Sequence, residues 1–223
     1  MYNTEIAQVT VTKYLGIHLD DKLNFECHVE YVMNKLVQLR GAFYNMSNII
    51  CKDAINQIYY AYVFPYVKYG MEIYGSYACS VTLMDKLQRE QNKLLKTLCN
   101  KDMLYSTNRL HKELDLLKCK DIQTYFTGIF VYKQQKGLLP DIFKNYFNLN
   151  SELSSRVTRQ SNDLHLPFYK SSGGQLSVKY KGVKVWNDLS TELKSSESLY
   201  LFKQKYKGLL IAKYGNTPDD DNV

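Results

Sequence analysis

Hydrophobic and polar residues alternate near the start of the chain, at Val9, Val11, Ile17 and Leu19. Successive side chains of a strand point to opposite faces, so this period of two predicts one or two short strands over residues 6–19. From residue 24 onward the apolar positions instead recur at intervals of three and four. That spacing predicts a series of amphipathic helices.

Five helices are expected between residues 24 and 137. Their predicted starts, all of residue types that cap helices, are Asn24, Asp53, Ser80, Ser106 or Asn108, and Asp121. Pro65 is expected to end or kink the second helix, because proline has no backbone N–H to donate. Gly137 is the expected C′ residue of the fifth helix, since glycine adopts the left-handed backbone conformation without strain.

Residues 148–174 interrupt the helical pattern with serines and with Gly173-Gly174, and we interpret them as a loop. Val178 and Tyr180 alternate briefly beyond it, residues 202–214 have the spacing of a final short helix, and the acidic tail is expected to be disordered. The predicted fold class is mainly α. It comprises a helical bundle, a short N-terminal β element and a small irregular α/β module at the C-terminal end.

Composition places the chain among globular proteins. Hydrophobic residues make up 45% and charged residues 23%, values that exclude disordered, collagen-like and coiled-coil chains. The net charge of +7 permits an anionic partner without requiring one. Twenty tyrosines against one tryptophan suit an aromatic-rich helical core or a stacking surface. Helical spacing favours core packing for Tyr59, Tyr62, Tyr66, Tyr69, Tyr125 and Tyr132.

The five cysteines form no CxxC pair, so a zinc ribbon or zinc knuckle is not predicted. Most have apolar neighbours, as Cys51 and Cys99 do, and are expected to be buried free thiols in a reduced, intracellular setting. The sequence shows no signal-peptide pattern and no apolar run of membrane-spanning length. We therefore expect a soluble protein of the cytoplasm or nucleus, with no membrane partner.

Basic residues concentrate late in the chain. Between Ser154 and Lys184 there are six of them and one acid, Asp163, with aromatic residues interleaved. Lysine and arginine neutralise phosphates, and aromatic rings stack on unpaired bases, so this cluster fits a single-stranded nucleic acid. The alternative interpretation is a solvated loop, with Trp186 buried as the anchor of the terminal module.

Several segments then follow one another in an informative order: Lys13–Asp20 (KYLGIHLD), Ile58–Gly70 (IYYAYVFPYVKYG), the helix of residues 87–98, and residues 156–189, which include Leu164-His165-Leu166-Pro167 and Trp186-Asn187-Asp188-Leu189. In this order they resemble the region from the palm exit through the thumb and post-thumb of non-LTR (LINE-type, jockey-like) retrotransposon reverse transcriptases. The match spans residues 10–214. Tyr169-Lys170 and Leu189-Ser190 depart from the pairs usual in that family.

The resemblance implies a non-catalytic role. A polymerase needs two or three carboxylates to hold two metal ions about 4 Å apart, and in the family these lie upstream of the segment where this chain begins. We therefore expect a C-terminal fragment that does not polymerise alone, from a parent that is an RNA-directed DNA polymerase. By the same resemblance the bundle is thumb-like. The domains expected are palm-exit strands at 1–22, a thumb-like helical domain at 23–147, a basic loop and terminal module at 148–214, and a disordered acidic tail at 215–223.

The partners implied are an RNA/DNA template–primer, held by backbone contacts, and the upstream palm and fingers. A second copy is a further possible partner, because an unpaired N-terminal strand edge invites association. The residues expected to contact nucleic acid are Lys13, Arg156, Arg159, Lys170, Lys179, Lys181 and Lys184.

Other candidate chemistry is weak. Residues 18–21, His-Leu-Asp-Asp, imitate the aromatic-x-Asp-Asp hairpin of reverse transcriptases, but a strand end with an aspartate as turn acceptor is preferred. His18 and Asp20 with a distant His111 or His165 have the composition of a two-histidine, one-carboxylate iron site. Such a site needs a β-barrel, which the few predicted strands do not provide. We predict no catalytic residue, no metal and no cofactor.

Two other functional classes stay open. A helical protein-interaction piece, or an inert relic without a ligand, agrees with the modest charge and the lack of a catalytic constellation. A dioxygenase or methyltransferase is the least favoured, although thumb-like helices can resemble a domain labelled after an alkylation-repair dioxygenase. Neither iron ligands in context nor a glycine-rich cofactor loop supports that class.

Overall fold

The computed structural model describes residues 8–77, 81–153 and 160–215. It is mainly helical, with a short two-stranded antiparallel sheet at the N-terminal end, as predicted. The elements are β1 (Val11–Tyr14), β2 (Ile17–Asp20), α1 (Glu26–Met46), α2 (Lys52–Ile58), a π-helical turn (Tyr59–Val63), α3 (Phe64–Lys68), α4 (Met71–Tyr77), α5 (Val81–Leu98), α6 (Thr107–Glu113), α7 (Cys119–Gln135), a 3-10 turn (Asp141–Phe143), α8 (Asn150–Leu153), α9 (Ser172–Gln175), α10 (Val178–Asn187), α11 (Thr191–Lys194), α12 (Leu199–Ala212) and a 3-10 turn (Lys213–Gly215).

The two strands form one hairpin, in a register that places Val11 opposite Asp20 and Tyr14 opposite Ile17. The connecting pair Leu15-Gly16 has positive φ at both positions, 47° and 83°. Two left-handed residues in succession make a type I′ turn, whose twist matches that of the strands it joins. This confirms the strands that the period of two predicted, within the described part of residues 6–19.

The exit from the hairpin is fixed by side-chain acceptors. Asp20 Oδ1 accepts hydrogen bonds from the backbone N–H groups of Lys22 and Asn24, at 3.2 and 2.9 Å. Asn24 Oδ1 in turn accepts from the Glu26 N–H at 3.2 Å, one residue outside the N-cap position, which Phe25 occupies. The predicted aspartate turn is confirmed, and α1 begins within two residues of the predicted cap.

Two groups of helices share one core. α1 packs along α5, while α7 is covered by α10, α12 and α4. The buried apolar side chains form a single cluster that extends from Ile17 in β2 to Tyr214 in the last 3-10 turn. Each aliphatic side chain buried in this way stabilises the fold by about 1.5–3 kcal/mol relative to exposure.

Two helix ends lie where the sequence predicts them. Ser106 caps α6 by accepting the Arg109 N–H, and Gly137 follows α7 with a φ of 65°. The prediction for Asp121 is wrong, because α7 begins at Cys119 and Asp121 lies inside its first turn, where its carboxylate accepts from the Tyr214 hydroxyl at 2.6 Å. The predicted cap at Ser80 lies outside the described residues.

The second predicted helix is a continuous run from α2 through the π turn to α3. Pro65 stands in the first turn of α3, and the N–H of Phe64 reaches back five residues to the Tyr59 carbonyl. An ordinary α-turn would press the proline ring against the carbonyl four residues earlier, so the wider turn absorbs the conflict. The predicted kink is therefore a π turn.

Three segments are more helical than predicted. α4 was not expected, and the loop predicted over 148–174 contains α8 and the start of α9. Val178 and Tyr180, whose alternation favoured extended structure, lie in α10, because Ser177 accepts the Tyr180 N–H and opens a helix there. In the described C-terminal residues the extended pairing is the isolated bridge between Leu149 and Leu164.

The helical spacing of the tyrosines did not determine which of them are buried. Tyr59 is 1% exposed, but Tyr62 and Tyr69 are 58% and 54% exposed, and Tyr66 is also exposed. Packing was thus the wrong prediction for these three, because a spacing of three or four places residues on one helix face without saying which face meets the core. Tyr132 is buried and Tyr125 half-buried, as expected.

The cysteines divide similarly. Cys119 is buried, Cys27 and Cys99 are half-buried, and Cys51 is exposed because it precedes α2 as its N-cap residue. Burial was therefore the wrong prediction for Cys51, and Cys79 lies outside the described residues. Burial raises the pKa of the Cys99 thiol to about 11, as for an unreactive free thiol.

Gly70 is required by both backbone and space. Its φ is 73°, and a Cβ at this position would lie 2.7 Å from Ile17 Cδ1. We expect Gly70→Ala to lower the free energy of unfolding by about 1–3 kcal/mol. The control is Gly41→Ala, at an open position within α1, which is expected to raise stability by up to about 1 kcal/mol. Urea unfolding followed by circular dichroism measures both, and equal effects would contradict this account of Gly70.

Candidate nucleic-acid interface

The predicted basic residues lie on two parts of the fold. Lys170 is exposed just before α9, and Lys179, Lys181 and Lys184 lie in α10. Lys13 is exposed on β1, whose hairpin packs against α1, whereas α10 packs against α7. The structure therefore places four of the predicted residues on consecutive elements and leaves Lys13 in a different part of the fold. Arg156 and Arg159 lie outside the described residues.

α10 presents one face to the core and the opposite face to solvent. Val183 and Trp186 are buried, and Gly182 approaches so closely that a Cβ there would lie 2.9 Å from the Phe147 ring. Side chains rotate by about 100° per residue around a helix, which puts Lys181 and Lys184 on the outer side. The same rotation puts Lys179 on the inner side with Val183 and Trp186, where it is half-buried. Packing of the inner face thus decides the direction of the basic one.

Trp186 is an anchor and not a stacking surface. It is 6% exposed, and its ring lies 6.4 Å from Tyr132 of α7 and 6.2 Å from Phe202 of α12, measured between centroids. The interpretation of Trp186 as a buried residue of the terminal module is confirmed.

Tyrosine rings lie among the lysines of this surface. Lys184 Nζ lies 4.8 Å from the centroid of the Tyr180 ring, and that ring meets Tyr169 edge-on at 6.2 Å. Lys179 Nζ lies 5.6 Å from the centroid of Tyr146. These cation–π contacts hold the ammonium groups near the rings and leave their remaining N–H donors for another partner.

Few acids neutralise this surface. The nearby Asp163 carboxylate lies 3.8 Å from Lys194, which belongs to α11. Lys170, Lys179 and Lys184 make no ion pair with any residue in the described part of the chain. We call Lys170 and Lys184, together with Tyr169 and Tyr180, the α10 surface.

The segment that approaches α10 is held by a side chain of the Trp-Asn-Asp-Leu sequence. Asn187 Oδ1 accepts the Leu164 N–H at 3.0 Å, and Asn187 Nδ2 donates to the Leu164 carbonyl at 2.9 Å. This pair of bonds imitates a strand partner for the backbone at Leu164. It fixes the chain that leads to Tyr169 and Lys170 beside the helix.

Segments far apart in the sequence also contact one another. The Tyr69 hydroxyl donates to the Leu15 carbonyl in the hairpin turn, and Gly70 lies against Ile17. Gln91 Nε2 donates to the Tyr59 hydroxyl at 2.7 Å. These contacts join the hairpin to the junction of α3 and α4, and join α5 to the π turn.

The possible iron ligands are not assembled. Both ring nitrogens of His111 are engaged, by the Leu116 carbonyl and by Asn92 Oδ1, and His165 Nδ1 lies 3.2 Å from Asn150 Oδ1. His18 instead stacks near His28, with ring centroids 6.1 Å apart. Among the described residues, no three His, Cys, Asp or Glu side chains are grouped to hold a metal ion.

Comparison of the chain with protein-family models, with curated proteins and with solved structures finds no match. In residues 8–77, 81–153 and 160–215, no helix is both long enough and apolar enough to cross a membrane.

The His18–His28 contact predicts a dependence of stability on pH. Burial, followed by the neighbouring His18, lowers the pKa of His28 below its ordinary value, although a hydrogen bond with the Tyr69 backbone opposes this. A lowered pKa means that the fold prefers the neutral ring. The stability that His28 contributes is therefore present above the unfolded-state pKa and is lost as pH falls through the folded-state pKa.

We expect His28→Gln to make the loss of stability between pH 7.5 and pH 5 shallower, because glutamine keeps an acceptor and does not titrate in this range. The urea midpoint at the two pH values measures the effect. His165→Gln, at an exposed histidine, is the control and should leave the pH dependence unchanged. An unchanged pH dependence in His28→Gln would contradict the assignment.

Proposed function

We propose that this protein binds nucleic acid non-catalytically, through phosphate contacts made by the α10 surface. The observation that carries the proposal is that Lys170 and Lys184 have no acidic partner among the described residues. Lys184 lies beside the Tyr180 ring, which in turn meets Tyr169, the residue before Lys170. Ammonium groups neutralise phosphates, and the neighbouring rings offer faces on which unpaired bases stack.

The resemblance to LINE-type reverse transcriptases gives this binding a context. In a full-length parent, an RNA-directed DNA polymerase, the chain would hold the template–primer while an upstream palm performs the chemistry. Phosphate contacts position a duplex without reading its sequence. We accordingly propose binding with little sequence preference.

The test is fluorescence anisotropy of a labelled RNA–DNA hybrid at several salt concentrations. Each neutralised phosphate adds about 0.7–0.9 to the slope of log affinity against log salt. We expect the variant Lys170→Gln/Lys184→Gln to lower that slope by about 1.4–1.8 units and to weaken binding at low salt.

The matched control is Lys22→Gln/Lys213→Gln, which removes the same charge from exposed positions elsewhere in the fold. It should change the slope by less than the value of about 0.7–0.9 that one phosphate contact contributes. If both variants lower affinity equally, general net charge and not the α10 surface accounts for binding, and the proposed site is wrong.

A second candidate function, association with another copy of the chain, is favoured by a different surface. Tyr62 and Tyr66, which are four residues apart in the π turn and α3, are exposed, as is Ile73 in α4. β1 is also exposed along its whole length. Sedimentation of the sample used for anisotropy distinguishes the candidates, because a stable dimer without salt-dependent binding would favour association over nucleic-acid binding.

A further inference from the structure

A cleft of about 260 Å³ opens between three parts of the fold: the π turn together with α3, the helix α7, and the helix α12. None of the lysines of the α10 surface lines it. Its wall is aromatic and its rim is basic. The residues that matter here are Tyr60, Phe64, Phe126, Lys68, Lys203 and Lys207. The cleft thus joins residues from distant parts of the sequence.

The aromatic wall follows from the continuous helix around the π turn. Tyr60 and Phe64 are four residues apart and meet edge-on with centroids 5.2 Å apart. Phe64 lies 6.3 Å from Phe126 of α7, and Phe126 meets Tyr125 edge-on at 5.3 Å. These rings line one side of the cleft, and an aromatic lining is suited to a flat aromatic ligand.

Three ammonium groups surround this wall. Lys68 Nζ lies 4.7 Å from the centroid of the Phe126 ring, and Lys207 pairs with Asp115. Lys68 and Lys203 have no acidic partner among the described residues. Both ammonium groups are therefore available to an anion bound in the cleft.

A phenol adds a polar group to the same wall. The Tyr125 hydroxyl donates to the Lys203 carbonyl at 3.4 Å, and burial, together with Tyr60, raises its pKa to about 12. It is therefore a neutral donor throughout the physiological range of pH. A ring-lined cleft with separate cations provides for both halves of a ligand that is aromatic at one end and anionic at the other.

We propose that this cleft binds a nucleotide, with the base against the aromatic wall and the phosphate at Lys68 and Lys203. A free nucleotide and one unit of a single-stranded nucleic acid share this chemistry. The site uses none of the residues of the α10 surface, so it stands independently of the function proposed above.

Isothermal titration calorimetry of the full chain tests the site, with adenosine monophosphate, adenosine and inorganic phosphate as separate probes. The monophosphate should bind more tightly than either part alone. Lys68→Gln/Lys203→Gln should weaken its binding at least tenfold. The control variant Lys205→Gln/Lys213→Gln removes the same charge outside the cleft, and Lys205 lies in the same helix as Lys203. It should leave monophosphate binding unchanged.

Three results would overturn the proposal: inorganic phosphate binding as tightly as the monophosphate, equal loss in the control variant, or no binding of any probe by the folded protein. A fourth result would also overturn it: loss of monophosphate binding in Lys170→Gln/Lys184→Gln would move the site to the α10 surface and would support the function proposed there.

Competition separates the two sources of the ligand. A deoxyadenylate hexamer and adenosine monophosphate are compared at equal nucleotide concentration as competitors of a labelled monophosphate. Stronger displacement by the hexamer assigns the cleft to single-stranded nucleic acid, and equal displacement assigns it to a free nucleotide. A hexamer that displaces nothing overturns the nucleic-acid source and leaves the free nucleotide.

Discussion

The fold depends on a buried amide, that of Gln91 in α5. Its side chain is fully buried, and Nε2 donates to the Tyr59 hydroxyl at 2.7 Å and to the Leu117 carbonyl at 3.1 Å. Its Oε1 accepts from the Cys119 thiol at 3.3 Å. One side chain thus ties α5 to the π turn and to the start of α7. A buried polar group is costly unless it is satisfied, and here every polar atom of the amide has a partner.

The network extends one turn back along α5, to Gln88, and forward to the next residue, Asn92. Gln88 Oε1 accepts the Cys119 N–H at 2.6 Å, which fixes the orientation of that amide, and Gln88 Nε2 then donates to Asn92 Oδ1 at 2.7 Å. The same Asn92 oxygen lies 3.0 Å from His111 Nε2 in α6. Because these bonds are directional, they set the relative positions of α5, α6 and α7 more narrowly than apolar packing does. The α10 surface and the aromatic cleft are both built on α7, so each depends on this alignment.

The features that the sequence predicted correctly are those set by residues close together in the chain. The hairpin, the amphipathic helices, the Ser106 cap and Gly137 each depend on residues within one or two turns of each other. The prediction of an N-cap at Asp121 was wrong because its carboxylate accepts a hydrogen bond from Tyr214, a residue near the other end of the chain. The prediction of burial was wrong for the exposed tyrosines because periodicity does not show which helix face packs against a neighbouring element.

The two candidate sites differ in the same way. The lysines of the α10 surface are close in sequence, so composition was enough to find them, although only the structure shows their tyrosine partners. The cleft brings Lys68 next to Phe126 and Lys203, and no local pattern connects these residues. Gln91 was visible in the sequence as an interruption of an apolar helix face, but its partners belong to other elements.

The most direct test of this account is the stability of Gln91→Leu, which keeps the approximate volume of the side chain and removes its hydrogen bonds. Urea unfolding is followed by far-ultraviolet circular dichroism and by the fluorescence of Trp186, the single tryptophan, in α10. The account predicts that the free energy of unfolding falls by about 2–4 kcal/mol, because several buried polar groups lose their partners at once. Both signals should report the same decrease. A change below about 0.5 kcal/mol would contradict it, because that is the size expected of a substitution away from any such network.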